Sequence, residues 1–353
     1  MSLLPGIPAP LFTAPSPVNP RFAFSSLGGR YVLLLFLPEP SPERDAALGA
    51  VAERLRLLHD ERLLVFGVLP DAASFEAAEQ SEHCVRWFHD PDGRIRRLYG
   101  AEDEHGRLRP QVVAIDPSMR VLGARPLAAT GAVLERIAAL GAPDAHAGTT
   151  LHAPVLIVPR VLEPEFCRRL IAAYDEDGGA PSGVMQEQDG KTVGVLNGMK
   201  RRMDATIPEG ELRRQLRARL ARRLLPEIEK AFQFRTTHIE RYIVACYDAA
   251  DGGFFRPHRD NTTPGTAHRR FAVSINLNAE EFEGGDLRFP EFGRRTYRPP
   301  TGGAVVFSCS LLHEATPVTR GRRYATLPFL YDEAAAEVRA ANLHTFQESR
   351  VLN

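Results

Sequence analysis

Three short apolar runs, Arg270–Asn278 (RFAVSINLN), Gly285–Pro290 (GDLRFP) and Gly302–Cys309 (GGAVVFSC), follow one another with Gly- and Pro-containing turns between them. Short alternating segments at such regular spacing read as strands of a β-sandwich or barrel. A fold of that kind brings together the chain segments that flank the strands. Here those segments are FFRPHRDN (Phe254–Asn261) and LLHEATPVTRGRRY (Leu311–Tyr324).

In an extended chain alternate residues face the same way, so His258 and Asp260 present their side chains on one side. A His-x-Asp pair alone is most simply a solvated turn; the strands that follow it, and the distant His313, change that reading. Two neutral imidazoles and one carboxylate suit Fe(II), partly cancel its charge and leave half of an octahedral shell open for a bidentate acid and dioxygen. Arg323, ten residues beyond His313, carries the planar guanidinium that pairs with the far carboxylate of such an acid. Its neighbour Arg322 should point to the opposite face of the same strand.

From about residue 153 to 332 the chain resembles the Fe(II)/2-oxoglutarate-dependent oxygenases of the prolyl 4-hydroxylase type. The motifs VACY (Val244–Tyr247), HRDN (His258–Asn261), GGDLRFP (Gly284–Pro290) and HEATPVTRGRRY (His313–Tyr324) stand in the family's order. The resemblance implies a double-stranded β-helix, or jelly roll, with flanking helices. It implies iron on His258, Asp260 and His313, with Arg323 on the C5 carboxylate of 2-oxoglutarate. Dioxygen is the second co-substrate and ascorbate a further cofactor. Tyr247 matches a family tyrosine close to iron and 2-oxoglutarate; the alternative is a core aromatic with a satisfied hydroxyl. Asn276 stands where some relatives place a second tyrosine against the co-substrate. The implied reaction is hydroxylation of an unactivated carbon in a peptide, protein or amino-acid-like substrate, proline first, with succinate and carbon dioxide released. The alternative is a redox or scaffold protein led by the first domain, with a non-catalytic jelly roll.

The length of 353 residues allows two domains. Zero formal net charge gives no global reason to expect nucleic acid as a partner. Arginines clustered at 269–270, 294–298 and 320–323 read as solvated surface, and are compatible with an anionic substrate. The longest obvious apolar run, Tyr31–Leu37, is too short to span a bilayer. Four cysteines without a Cys-x-x-Cys pair favour a reducing compartment. A cytoplasmic protein is the expectation.

Residues 1–142 read as a separate α/β unit, 143–152 as a linker rich in small residues, and 153–353 as the oxygenase unit. The first unit alternates strands at Tyr31–Leu37, Leu63–Leu69 and Gln111–Asp116 with helices, one carrying Leu48, Val51, Leu55 and Leu58 on a stripe. It resembles the peroxiredoxin branch of the thioredoxin fold through YVLLLFLP (from Tyr31), VFGVLPD (from Val65), FHDPDG (from Phe88) and VAID (from Val113). Where that family carries its peroxidatic cysteine, Leu37–Arg44 reads LPEPSPER. Cys84 lies much later and reads as an inert thiol. The unit is therefore expected to be degenerate, used for packing, homodimerisation or substrate presentation. Pro110 fits either the cis-proline of thioredoxin folds or a trans edge proline. In the second half, helices are expected at about 163–174 and 209–225. Ser182–Asp204 reads as an irregular flap whose Lys200, Arg201 and Arg202 meet a carboxylate, or as a solvated loop.

Overall fold

The computed structural model describes residues 3–17, 19–55, 61–79 and 85–346. The chain divides into two compact units, Met1–His152 with Pro290–Arg294, and Ala153–Phe289 with Arg295–Asn353.

In the first unit the elements are β1 (Tyr31–Phe36), α1 (Pro42–Leu55), β2 (Leu63–Leu69), α2 (Ala72–Glu79), β3 (Arg86–His89), β4 (Gln111–Ile115), β5 (Val121–Pro126) and α3 (Thr130–Ala139). The sheet order is β3-β2-β1-β4-β5, with β1, β2 and β3 parallel and the other pairings antiparallel. This is the thioredoxin-like arrangement. Every residue of β1 and β2 is buried, which explains their unbroken apolar sequence: both sheet faces are covered. Leu33 and Leu35 face Val51 of α1 and Leu134 of α3. Val32, Leu34 and Phe36 face an aromatic layer built from Phe66, Phe88 and the N-terminal residues Phe12 and Phe24. Phe12 stacks on Phe24 at 4.5 Å between ring centres, and Phe66 on Phe88 at 4.6 Å.

Two strands of this sheet, β3 and β5, are additional to the expected set, as is a separate N-terminal hairpin of Thr13–Ser16 with Asn19–Ala23. β3 has four residues, and β5 buries only Val121 fully, so neither carries a periodic signal. No peptide bond among the described residues is cis, so Pro110 is trans. Leu58 and Cys84 lie outside the described residues. The segment Leu37–Arg44 caps α1: Ser41 Oγ accepts from the Arg44 backbone N–H at 3.3 Å, and the Arg44 guanidinium reaches back to Pro38 O at 3.4 Å.

The second unit contains β6 (Leu156–Val158), α4 (Pro164–Asp177), β7 (Val184–Gln188), β8 (Lys191–Val195), β9 (Lys200–Arg201), β10 (Met203–Thr206), α5 (Glu211–Arg223), α6 (Leu225–Phe232), β11 (His238–Glu240), β12 (Ile243–Asp248), β13 (Phe254–His258), β14 (Phe271–Asn276), β15 (Leu287–Arg288), β16 (Thr296–Tyr297), β17 (Ala304–Ser308), β18 (His313–Ala315), β19 (Arg322–Thr326), β20 (Phe329–Tyr331) and α7 (Glu333–Asn342). The larger sheet runs β11-β20-β14-β19-β12-β10, with β17 joining β14 to β6. The smaller runs β9-β13-β18-β15-β16. Alternation along β12 shows the layering: Val244 and Cys246 pack with Phe166 of α4 and Leu216 of α5, whereas Ile243, Ala245 and Tyr247 pack with Phe255 and Ala315 of the smaller sheet. The unit is a jelly roll whose larger sheet is backed by helices. Among the described residues no helix is long and apolar enough to cross a membrane.

Ser182–Asp204 is more ordered than its sequence suggested. β7 and β8 form a hairpin in register from Val184 opposite Val195 to Gln188 opposite Lys191. Its turn is Asp189–Gly190, both at positive φ (50° and 73°), as two-residue hairpin turns require. Lys200 and Arg202 do not project to solvent. Lys200 Nζ donates to Ser182 Oγ at 3.0 Å and lies 4.8 Å over the Phe255 ring, and Arg202 pairs with Asp204 at 2.6 Å. Only Arg201 of the three is exposed.

Candidate active site

β13 and β18 are antiparallel neighbours with His258 directly opposite His313, and the register shifts between Phe255 and His258. A bulge of this kind re-aims the strand end. Pairing sets the imidazoles side by side, with ring centres 4.3 Å apart. Asp260 lies just past β13, where its backbone N–H donates to Cys309 O at 3.0 Å. Its carboxylate then spans the pair: Oδ1 is 3.6 Å from His258 Nε2 and Oδ2 is 3.3 Å from His313 Nε2. The three ligand atoms all lie within 4.8 Å of one another, the only such group of three or more His, Cys, Asp or Glu residues among those described.

The tautomers follow from the partners. His258 Nδ1 is 2.8 Å from Arg256 O, and His313 Nδ1 is 3.0 Å from Leu311 O. A carbonyl can only accept, so in each neutral ring Nδ1 carries the proton and Nε2 offers its lone pair. Burial, with the facing His258, pushes His313 down to about 4, which keeps it neutral. Burial alone would raise the Asp260 carboxyl, but the facing His313 and His258 hold it well below the usual carboxylate range. Phe255 stacks on His258 and Phe307 meets His313 edge-on at 4.6 Å, fixing both rings. Neutral nitrogen donors and one carboxylate fit Fe(II).

Arg323 is buried and lines the same pocket as the three ligands. Tyr247 is its cross-strand partner, and the guanidinium lies 5.0 Å from the centre of that ring. Nη2 donates to Ser274 Oγ at 2.8 Å and Nε to Asn276 Oδ1 at 3.4 Å. No carboxylate among the described residues lies within ion-pair distance of it. A buried cation without an anion is costly and needs a negatively charged ligand. Two glycines make room: a Cβ on Gly284 would come 2.1 Å from Pro317 O, and one on Gly285 would come 3.1 Å from Arg323 Cδ. Both hold positive φ. Arg322 points the other way, is exposed, and pairs with Asp248 at 2.6 Å.

The Tyr247 hydroxyl accepts from Arg202 Nη1 at 3.3 Å, so its own proton is not used in that bond. Asn276 uses both ends of its amide, donating to Pro299 O at 2.9 Å and accepting from Arg323. It positions Arg323. Ser274 was not among the expected site residues, and Arg202, expected on a flap to meet a carboxylate, is instead paired with Asp204 beside Tyr247. Ser274 sits two residues before Asn276 on the same face of β14, so alternation alone pointed to it.

Residues 242–331 match the model of the 2OG-Fe(II) oxygenase superfamily, and residues 5–123 that of the AhpC/TSA family. A "PKHD-type hydroxylase" of Cupriavidus metallidurans is 27% identical over 184 residues, covering 48% of this chain and 74% of the relative. Another, from Delftia acidovorans, is 36% identical over 94 residues, covering 24% of this chain and 42% of the relative. Among solved structures, a Pseudomonas putida prolyl-4-hydroxylase aligns with 20% identity and a TM-score of 0.39, covering 54% of this chain and 96% of that one. Peroxidoxin BcpB of Mycobacterium tuberculosis aligns with 18% identity and a TM-score of 0.34, covering 39% and 98%.

Proposed function

We propose that the chain, whose residues 242–331 match the 2OG-Fe(II) oxygenase superfamily, hydroxylates an unactivated carbon of a peptidyl or amino-acid substrate, with proline the leading candidate. The observation that carries this reading is a buried, anion-free Arg323 in one pocket with His258, Asp260 and His313. His258, Asp260 and His313 would hold the iron through Nε2, Oδ and Nε2. Arg323, steadied by Ser274 and Asn276, would hold the outer carboxylate of 2-oxoglutarate, with the Tyr247 hydroxyl donating beside it. Bound together, iron and 2-oxoglutarate supply oxygen activation: one atom of dioxygen enters the substrate C–H bond as hydroxyl and the other enters succinate, with loss of carbon dioxide. Phe255 and Phe307 shield the ligands from water. Proline ranks first because the motif order resembles that of prolyl 4-hydroxylases.

The test is aerobic incubation of the full chain with Fe(II), 2-oxoglutarate, ascorbate and a panel of prolyl peptides and amino acids. A gain of one oxygen in step with succinate is expected. Full metal loading without any 2-oxoglutarate turnover would favour a non-catalytic jelly roll. Self-association through the first unit belongs to the same reading and would appear in sedimentation of the full chain.

A peroxidase role for the first unit is not expected. Leu37–Arg44 offers no thiol, and Cys167, Cys246 and Cys309 are buried in the second unit, where desolvation raises all three, Cys167 to about 12. Thiols so raised are poor nucleophiles. Peroxide consumption with a dithiol reductant should stay at the buffer rate. Robust consumption lost on Cys84→Ser would reverse this expectation.

A further inference from the structure

Arg241, in the turn between β11 and β12, has no task in the reaction as so far described. It shares the inward face of Ile243, Ala245 and Tyr247 and lines the pocket that holds Asp260, His313 and Arg323. Its backbone sits at φ 67°, a left-handed conformation that a bulky side chain seldom adopts and that recurs where function holds a residue in place. The neighbouring Glu240 clamps this turn, accepting from Arg269 Nη2 at 2.7 Å and pairing with His268. The Arg241 guanidinium lies 4.6 Å from the Phe329 ring centre, and Nε donates to Leu327 O at 3.2 Å. Its two Nη groups have no acceptor among the described residues.

Charge balance makes this cation informative. Arg202 is matched by Asp204. Fe(II) and Arg323 together balance Asp260 and the two carboxylates of 2-oxoglutarate. Among the residues that line the pocket, one positive charge then remains, on Arg241. Six extended residues, roughly 20 Å, separate its Cα from that of Tyr247, the cross-strand partner of Arg323. The two side chains therefore enter the pocket from different ends of β12.

We infer that Arg241 binds a carboxylate of the substrate itself, so the substrate is a free amino acid or the carboxy-terminal residue of a peptide, with an internal residue excluded. The inference rests on the hydroxylase reading above. Arg241 is a specificity residue: its forked Nη groups pair with the carboxylate while Leu327 and Phe329 flank the aliphatic part.

The test is calorimetric titration of the full chain, anaerobic and loaded with Fe(II) and 2-oxoglutarate, with L-proline and glycyl-L-proline against their C-terminal amides. The acids should bind about tenfold tighter or more than the amides, as expected for a charge-assisted bond. Arg241→Met should remove that preference and Arg241→Lys should keep part of it. Equal binding of acids and amides, no binding of either, or a preference that survives Arg241→Met would overturn the inference. So would an Arg241→Met variant whose 2-oxoglutarate requirement rises as much as its substrate requirement. Admitting air then tests the hydroxylase reading separately. Acids that bind through Arg241 without gaining oxygen would count against that reading alone, whereas hydroxylation of internal prolyl residues only would sink the carboxylate assignment and leave hydroxylation standing.

Discussion

His258→Ala, Asp260→Ala and His313→Ala should each abolish 2-oxoglutarate turnover in a protein that remains folded. Each removes one of the three proposed iron ligands, and two ligands would not fix both the metal and its open face. The effect on the fold should be small by comparison. His258 and Asp260 sit at a strand end and beyond it, and their side chains meet each other, His313 and, for His258, the Phe255 ring. His313 is more deeply placed, against Phe307; truncating it opens a small void among aromatic rings, at a cost of roughly 2–3 kcal/mol. Circular dichroism, iron content and succinate release separate the two effects. A His313→Ala variant with stoichiometric iron and unimpaired succinate release would remove His313 from the site.

Arg323→Ala should raise the 2-oxoglutarate requirement far more than Arg322→Ala. The two residues are adjacent in sequence and opposite in environment. Arg323 is buried beside Tyr247 with Ser274 and Asn276 orienting it, while Arg322 is solvated and paired with Asp248. Losing a charge-assisted bond to a carboxylate is worth about 1.5–3 kcal/mol, or roughly ten- to more than a hundredfold in affinity. An exposed pair such as Arg322–Asp248 contributes about 0–1 kcal/mol to stability. The KM for 2-oxoglutarate in each variant decides. Similar shifts at both positions would mean that Arg323 does not face the co-substrate.

The part of the site that follows from strand alternation was legible in the sequence. His-x-Asp on one side of a strand end, and the opposed directions of Arg322 and Arg323, need only a period of two. The same rule was available for Ser274, two residues from Asn276, and the Asp189–Gly190 pair signalled the β7–β8 hairpin. Around Asp189–Gly190 the hairpin signal is masked by glycine and mixed polarity, which suggest a loop. Other features left no local trace. The pairing of Lys200 with Ser182, and the edge-on packing of Phe12 and Phe24 against Phe88, join residues well separated in the chain. β3 and β5 are short or mostly unburied, so their pairing is decided by the sheet they border.

Each imidazole of the triad takes its proton anchor from a main-chain carbonyl two residues upstream, Arg256 O for one and Leu311 O for the other. Many metal-binding histidines lean on a carboxylate instead, which makes the ring a stronger donor. A neutral amide oxygen pushes less electron density through the ring, leaving a bound cation more electron-poor and more attractive to anionic chelators. It also makes donor orientation a property of the peptide backbone. Side chains around the pocket can change with little effect on which nitrogen faces the metal, so selectivity for what is oxidised could drift while readiness to bind iron is inherited with the strand geometry.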